Sequence, residues 1–420
     1  MKNKEIEFET LHFNKHRIHF LISFVCVVIL LVVFIIGRSH ARYRVTESIP
    51  LVNGTINYSL PDLNIVGLYI DGVEATELDS SKNYKLDTSK STCTYKDRSI
   101  ISNLTLSYDS NTRAFSISPY TTKGTKCTLY FEESSCGSAC QTILANKTIS
   151  VRTDFSTTVK EDTTGTIYQA EDDDGTTYYY AGAPTDNWVQ FAGFYWRIIR
   201  INGDGTIRLI YNGTSTVTTG TGTYIDYNAF NSNYRLSSSV SFGSSPIKGI
   251  LYTWYQNNLV AEADKIDRNA GFCNDRTSYS EEETDETVYG ANNRLASNKA
   301  PSFKCENDSD LYTTSGSSKG NKALQYPIGL ITADEVSYAG GVYGLSNSNR
   351  SYYLYTNQDY WTMSPFVFTG TWAWGFYVDS SGYFTQQGVQ ISYGVRPVIN
   401  LSADVIITGS GTISDPYVVQ

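Results

Sequence analysis

Residues 191–213 read FAGFYWRIIRINGDGTIRLIYNG, two apolar runs about the polar group Asn202-Gly203-Asp204-Gly205. Asn, Asp and Gly tolerate positive φ at low cost, so Trp196 to Ile201 and Thr206 to Tyr211 are expected to pair as a hairpin. Downstream the period changes. In SSPIKGILYTWYQNNL, Ile247, Ile250, Leu251 and Trp254 recur at helical spacing behind Ser245 as cap and Pro246 in the first turn. Thr332-Ala333-Asp334-Glu335 is a capping box that opens a short helix stopping at Gly340. From Tyr352 to Gln420 the chain is strand-like again and dense in aromatics. Residues 160–420 are therefore read as an α+β body.

Ahead of it, residues 45–159 carry short β-patterned runs: NIVGLYIDG from Asn64, LTLSYDSNTRAFSIS from Leu104 and KCTLYF from Lys126. The second alternates Leu104, Leu106 and Tyr108, turns at Asp109, Ser110 and Asn111, and returns through Ala114, Ser116 and Ser118, a hairpin pattern. Such spacing predicts a small all-β, immunoglobulin-like sandwich. The hydrophilic KEDTTG at Lys160 to Gly165 is the expected boundary, and the acidic triplet Asp172, Asp173 and Asp174 is read as a turn, lacking the alternate ligand spacing of a calcium loop.

The N-terminus points to a membrane. Phe20 to Ile36 reads FLISFVCVVILLVVFII, and with Ile18, His19 and Gly37 it spans about 30 Å as a helix. We expect a cytoplasmic tail at 1–17, a transmembrane signal anchor at 18–37 in contact with the lipid bilayer, and an extracellular remainder. The competing reading is a signal peptide cleaved near Ser39 and Ala41, but the apolar run is longer than the usual signal core. Six of the seven cysteines follow the helix, an even number suited to disulfides in an oxidising space. Six cysteines allow fifteen pairings. Proximity favours Cys93 with Cys127, Cys136 with Cys140, and Cys273 with Cys305, the last pinning the polar stretch from Asn269 to Lys322.

Composition narrows the chemistry. After residue 44 the chain holds 26 basic against 39 acidic side chains, so nucleic acid, which binds by releasing counterions to a basic face, is not an expected partner. All four histidines, His12, His16, His19 and His40, precede residue 41. Imidazole-activated nucleophiles and histidine-containing zinc sites are thereby excluded from the exported part. No cofactor or metal is expected. A paired-carboxylate hydrolase remains possible in principle.

The order WRIIRINGDGTIRLI, an amphipathic helix, GLITADEVSYAGG, YWTMSP, a glycine-containing strand pair and YGVRPVINL resembles surface proteins of Gram-positive bacteria that carry a C-terminal C-type-lectin-like domain. That fold is shared with formylglycine-generating enzymes and with the variable proteins of diversity-generating retroelements. The resemblance spans Gly165 to Gln420. It implies that Trp361 and the Gly394-Val395-Arg396 turn brace the fold while the intervening loops form the exposed face. Formylglycine-generating enzymes depend on cysteines near their final Gly-Phe-Arg element. Here Tyr393 precedes Gly394 and no cysteine follows Cys305, so that oxidase activity is not expected.

The expectation is thus a membrane-anchored, extracytoplasmic and non-catalytic binding or adhesion protein that recognises a glycan or a surface protein. A cell-envelope carboxylate-based glycosidase and a structural envelope component are the alternatives. Tyr and Trp offer large contact area at low rotamer entropy, and the chain has 33 Tyr. The loop tips at Thr369 to Trp374 and Ser380 to Gln387 are taken as the contact face, with Trp372, Trp374, Tyr377, Tyr383 and Phe384 as candidate ligand-binding anchors.

Overall fold

The computed structural model describes residues 47–50, 63–79, 82, 84–95, 97–109, 114–118, 124–279, 285–347 and 352–420. The expected tail at 1–17 and anchor at 18–37 lie outside them, as do Ser110 and Asn111 of the expected turn. No helix among the described residues is long and apolar enough to cross a membrane. The chain is mostly β-sheet with few helices.

In the N-terminal unit, Leu63–Ile70 runs parallel to Thr125–Glu133, which also pairs antiparallel with Tyr84–Leu86 and Thr92–Thr94. A second sheet joins Glu47–Pro50, Ala114–Ser118 and Thr105–Asp109. Thr125–Glu133 alternates strictly, burying Thr125, Cys127, Leu129 and Phe131 on one face. Those residues pack with Leu68 and Cys93 against Phe115 and Ile117 of the second sheet, giving one sandwich core. The expected hairpin is present in the register Leu106 to Ile117 and Tyr108 to Phe115. Its inward residues on the return strand are Phe115 and Ile117, whereas Ser116 bonds Ser107 on the outer face at 3.0 Å.

The unit ends earlier than Lys160. The helix Ser138–Leu144 buries Ala139, Cys140 and Ile143 in the C-terminal core, and Thr148–Ser150 extends the C-terminal sheet by pairing parallel with Thr166–Asp172. KEDTTG is not a linker. Thr163 is buried and donates its hydroxyl to the Ala181 carbonyl at 2.6 Å. The two cores part at residues 133–136, a displacement of the expected boundary caused by that parallel pairing.

The C-terminal body holds two large sheets and a two-stranded one of Phe272–Cys273 and Leu311–Tyr312. The larger has nine strands and is centred on Phe194–Ile201, which pairs with Trp188–Phe191, Gly175–Tyr179 and Ile207–Tyr211. This is the expected hairpin. Its turn closes with the Asn202 N–H to the Thr206 carbonyl at 2.8 Å, and Gly205 takes φ +83°. A bulge separates Ile198 from Arg200, which aligns Arg200 with Arg208. The six-stranded second sheet contains Tyr360–Phe368, Ala373–Val378 and Phe384–Gly388. Helix Pro246–Asn258 starts at the expected Ser245 cap, and the buried helix Ala333–Tyr338 has the complete Thr332–Glu335 capping box. Both large sheets feed one core with Trp196 and Trp361 fully enclosed. Arg396 is also enclosed and donates to the Tyr211 and Leu354 carbonyls.

All three disulfides pair as expected: Cys93 with Cys127 as register partners, Cys136 with Cys140, and Cys273 with Cys305.

Candidate functional site

Four residues, Thr369 to Trp372, connect Tyr360–Phe368 to Ala373–Val378. The Thr369 N–H bonds the Trp372 carbonyl at 2.9 Å, and the Trp372 N–H returns to Thr369 Oγ1 at 3.2 Å. Gly370 takes φ +79°, and a Cβ there would lie 3.1 Å from Asp285, so the turn favours glycine. The next residue, Ala373, donates its N–H to the Tyr234 carbonyl at 2.8 Å and ties this turn to the loop at residues 231–236. The result is a shelf. Trp372, 39% exposed, stacks on Tyr234 with centroids 4.5 Å apart and planes 29° from parallel. The Arg235 guanidinium lies 5.1 Å from the Tyr234 ring and 5.9 Å from the Trp372 ring. Leu236 is exposed beside it.

Of the five candidate anchors, Trp372 is exposed and the rest differ. Trp374 and Tyr383 are half-buried, and the enclosed Trp374 Nε1 has no hydrogen-bond partner among the described residues. Tyr377 and Phe384 belong to the core, which removes them as contact residues. Tyr377 stacks on Tyr393 at 4.4 Å and meets Trp361. Phe384, 1% exposed, stacks on Phe376 at 5.4 Å. The physical reason is that Ala373–Val378 is covered on both faces, so alternation along it does not separate inside from outside. Tyr234 and Arg235 were not anticipated, since a single aromatic in the polar loop NSNYRL carries no periodic signal.

A second constellation is polar and interior. Arg200 and Arg208 are direct cross-strand neighbours, an arrangement that like charges disfavour. Glu335 resolves it. Its Oε1 lies 3.3 Å from Arg200 Nε and 2.5 Å from Arg208 Nε, while Oε2 accepts the Thr332 N–H at 2.9 Å. Arg200 also donates to Asp172 at 2.6 Å, and Asp172 accepts the Gly203 N–H at 2.8 Å. Across the cavity Arg294 grips Asp334 through two bonds of 2.9 Å and reaches Asp275 at 2.7 Å. Burial lowers the Arg208 pKa, with Glu335 pulling the other way. Burial also opposes the Arg294 charge, but Asp334 and Asp275 outweigh it and raise its pKa above the ordinary value.

The Asp172-Asp173-Asp174 turn, expected from the sequence, forms one wall of this cavity, and the Cys273–Cys305 disulfide lines it. The cavity measures about 60 Å³, which suits a few waters better than a sugar. Among the described residues no group of three or more His, Cys, Asp or Glu is arranged to hold a metal ion. Acid–base chemistry by any of Asp172, Asp275, Asp334 or Glu335 would first have to break an ion pair.

No family model, curated protein or solved structure matches the chain.

Proposed function

We propose that the chain is a membrane-tethered, extracytoplasmic binding protein. Residues 18–37 cross the bilayer, the immunoglobulin-like sandwich acts as a stalk, and a C-type-lectin-like body recognises a glycan or a surface protein without transforming it. The observation that carries the reading is the shelf of Trp372, Tyr234 and Arg235: a large aromatic area, exposed, already stacked and flanked by a guanidinium. Aromatic and Arg side chains of this kind anchor interfaces, and aromatic faces stack on sugar rings. Three disulfides support an oxidising compartment. Four of the carboxylates lining the polar cavity, Asp172, Asp275, Asp334 and Glu335, are clamped by arginine, which favours a structural use over the glycosidase alternative.

Vesicles displaying the intact chain should retain a subset of envelope glycans or surface proteins. Trp372→Ala should reduce that retention by about tenfold or more, the loss typical of an interface anchor, while the Tm stays unchanged. Tyr377→Ala serves as the contrast, because it removes a core ring and should lower stability. Retention unaffected by Trp372→Ala, or turnover of a retained polymer, would count against the proposal.

A further inference from the structure

A separate cavity of about 290 Å³, close to the lower size of small-molecule sites, opens among Trp188, Arg197, Asn212, Thr216, Tyr353 and Asn357. Arg197 is 7% exposed and lies 4.1 Å over the Trp188 ring. Its Nε donates to Asn187 Oδ1 at 2.7 Å, and its Nη2 to the Pro184 carbonyl at 2.8 Å and to Asn187 Oδ1. Nη1 donates to nothing among the described residues. Arg396, fully buried, donates to the Tyr211 and Leu354 carbonyls and, at 3.4 Å, to Asn212 Oδ1, and lies 4.6 Å over the Tyr360 ring.

Arg200, Arg208 and Arg294 in the polar cavity all have carboxylate partners. Arg197 and Arg396 have none among the described residues. Asp186, whose field reaches Arg197, is paired with Lys147. Two buried guanidinium groups without a counter-charge are costly, and an anion entering the cavity would offset that cost. The amide orientation agrees: with Asn212 Oδ1 accepting from Arg396, Nδ2 is left as a donor with no partner among the described residues. Thr216 and Asn357 add a hydroxyl and an amide to the wall.

We propose that this cavity binds an acidic monosaccharide unit, its carboxylate on Arg197 Nη1 and Asn212 Nδ2 and its hydroxyls against Thr216 and Asn357. Two donors free of protein partners in the wall of one cavity suit the two oxygens of a planar carboxylate. The hydroxyl- and amide-bearing wall and the remaining volume suit a hydroxylated ring better than a bare inorganic ion. The site shares no residue with the Trp372 shelf and stands independently of it.

Calorimetric titration of the intact chain with D-glucuronate, N-acetylneuraminate, D-glucose and inorganic phosphate tests the assignment. At least one acidic sugar should bind about tenfold or more tighter than glucose, the margin expected of a charge-assisted hydrogen bond. Arg197→Gln should erase that preference. Thr216→Trp should block the cavity from its half-buried wall without touching the guanidinium, and it decides the matter if Arg197→Gln unfolds.

Absence of binding by both acidic sugars, equal affinity for glucose, binding of phosphate alone, or full affinity in Thr216→Trp would overturn the proposal.

Discussion

Glu335→Ala should lower the unfolding free energy of the C-terminal body by about 3–5 kcal/mol, the cost of leaving buried charges without their partner. That corresponds to a fall in Tm of about 10 °C for a unit of this size. Two effects add. Arg200 and Arg208 would face each other across the bulged hairpin with the bridging carboxylate gone. The helix Ala333–Tyr338 would also lose one arm of its capping box. Glu335→Gln separates them, since glutamine can complete a capping box but carries no charge. It should keep most of the loss. A Glu335→Gln protein as stable as the parent would show that the two guanidinium groups need no counter-charge. All six tryptophans lie between Trp188 and Trp374, so their fluorescence follows this body alone.

The second large effect concerns the other unit. Replacing Cys93 and Cys127 with Ser removes a link across 34 residues, worth about 4 kcal/mol on the chain-entropy account. The sandwich core is small, and both sulfurs are buried in it beside Leu129 and Phe131. Loss of that magnitude is comparable to the whole stability of such a unit. Calorimetry should show one transition disappearing while the tryptophan-monitored transition is retained. If the tryptophan transition moves as well, the two cores are energetically one.

What could be read beforehand was local. The Asn202–Gly205 turn, the Ser245 cap, the Thr332–Glu335 box and the Cys136–Cys140 pair all depend on residues near one another in sequence, and the other two cysteine pairs, 34 and 32 residues apart, followed from joining neighbouring cysteines along the chain. What escaped depends on distant partners. The boundary moved because Thr148–Ser150 pairs with Thr166–Asp172 across KEDTTG, which is polar yet packed. Arg200 and Glu335 are 135 positions apart, and nothing in the box signalled that its glutamate also neutralises a hairpin. Tyr377 and Phe384 were misplaced because a sheet covered on both faces loses the alternation that separates core from surface. Trp372 was singled out through composition, whereas the side chains around it, Tyr234 and Arg235, come from a loop more than 130 residues upstream.

The route by which the chain enters the C-terminal body has a mechanical consequence. It passes through the Cys136–Cys140 helix and then along Thr148–Ser150, held parallel to Thr166–Asp172 by three register pairs. A tug on the sandwich therefore meets the buried helix first and that short strand next, and the covalent loop at 136–140 keeps the first turn of the helix from unreeling. While those pairs hold, the load passes from this edge strand into Thr166–Asp172 and is spread over the strands of the larger sheet.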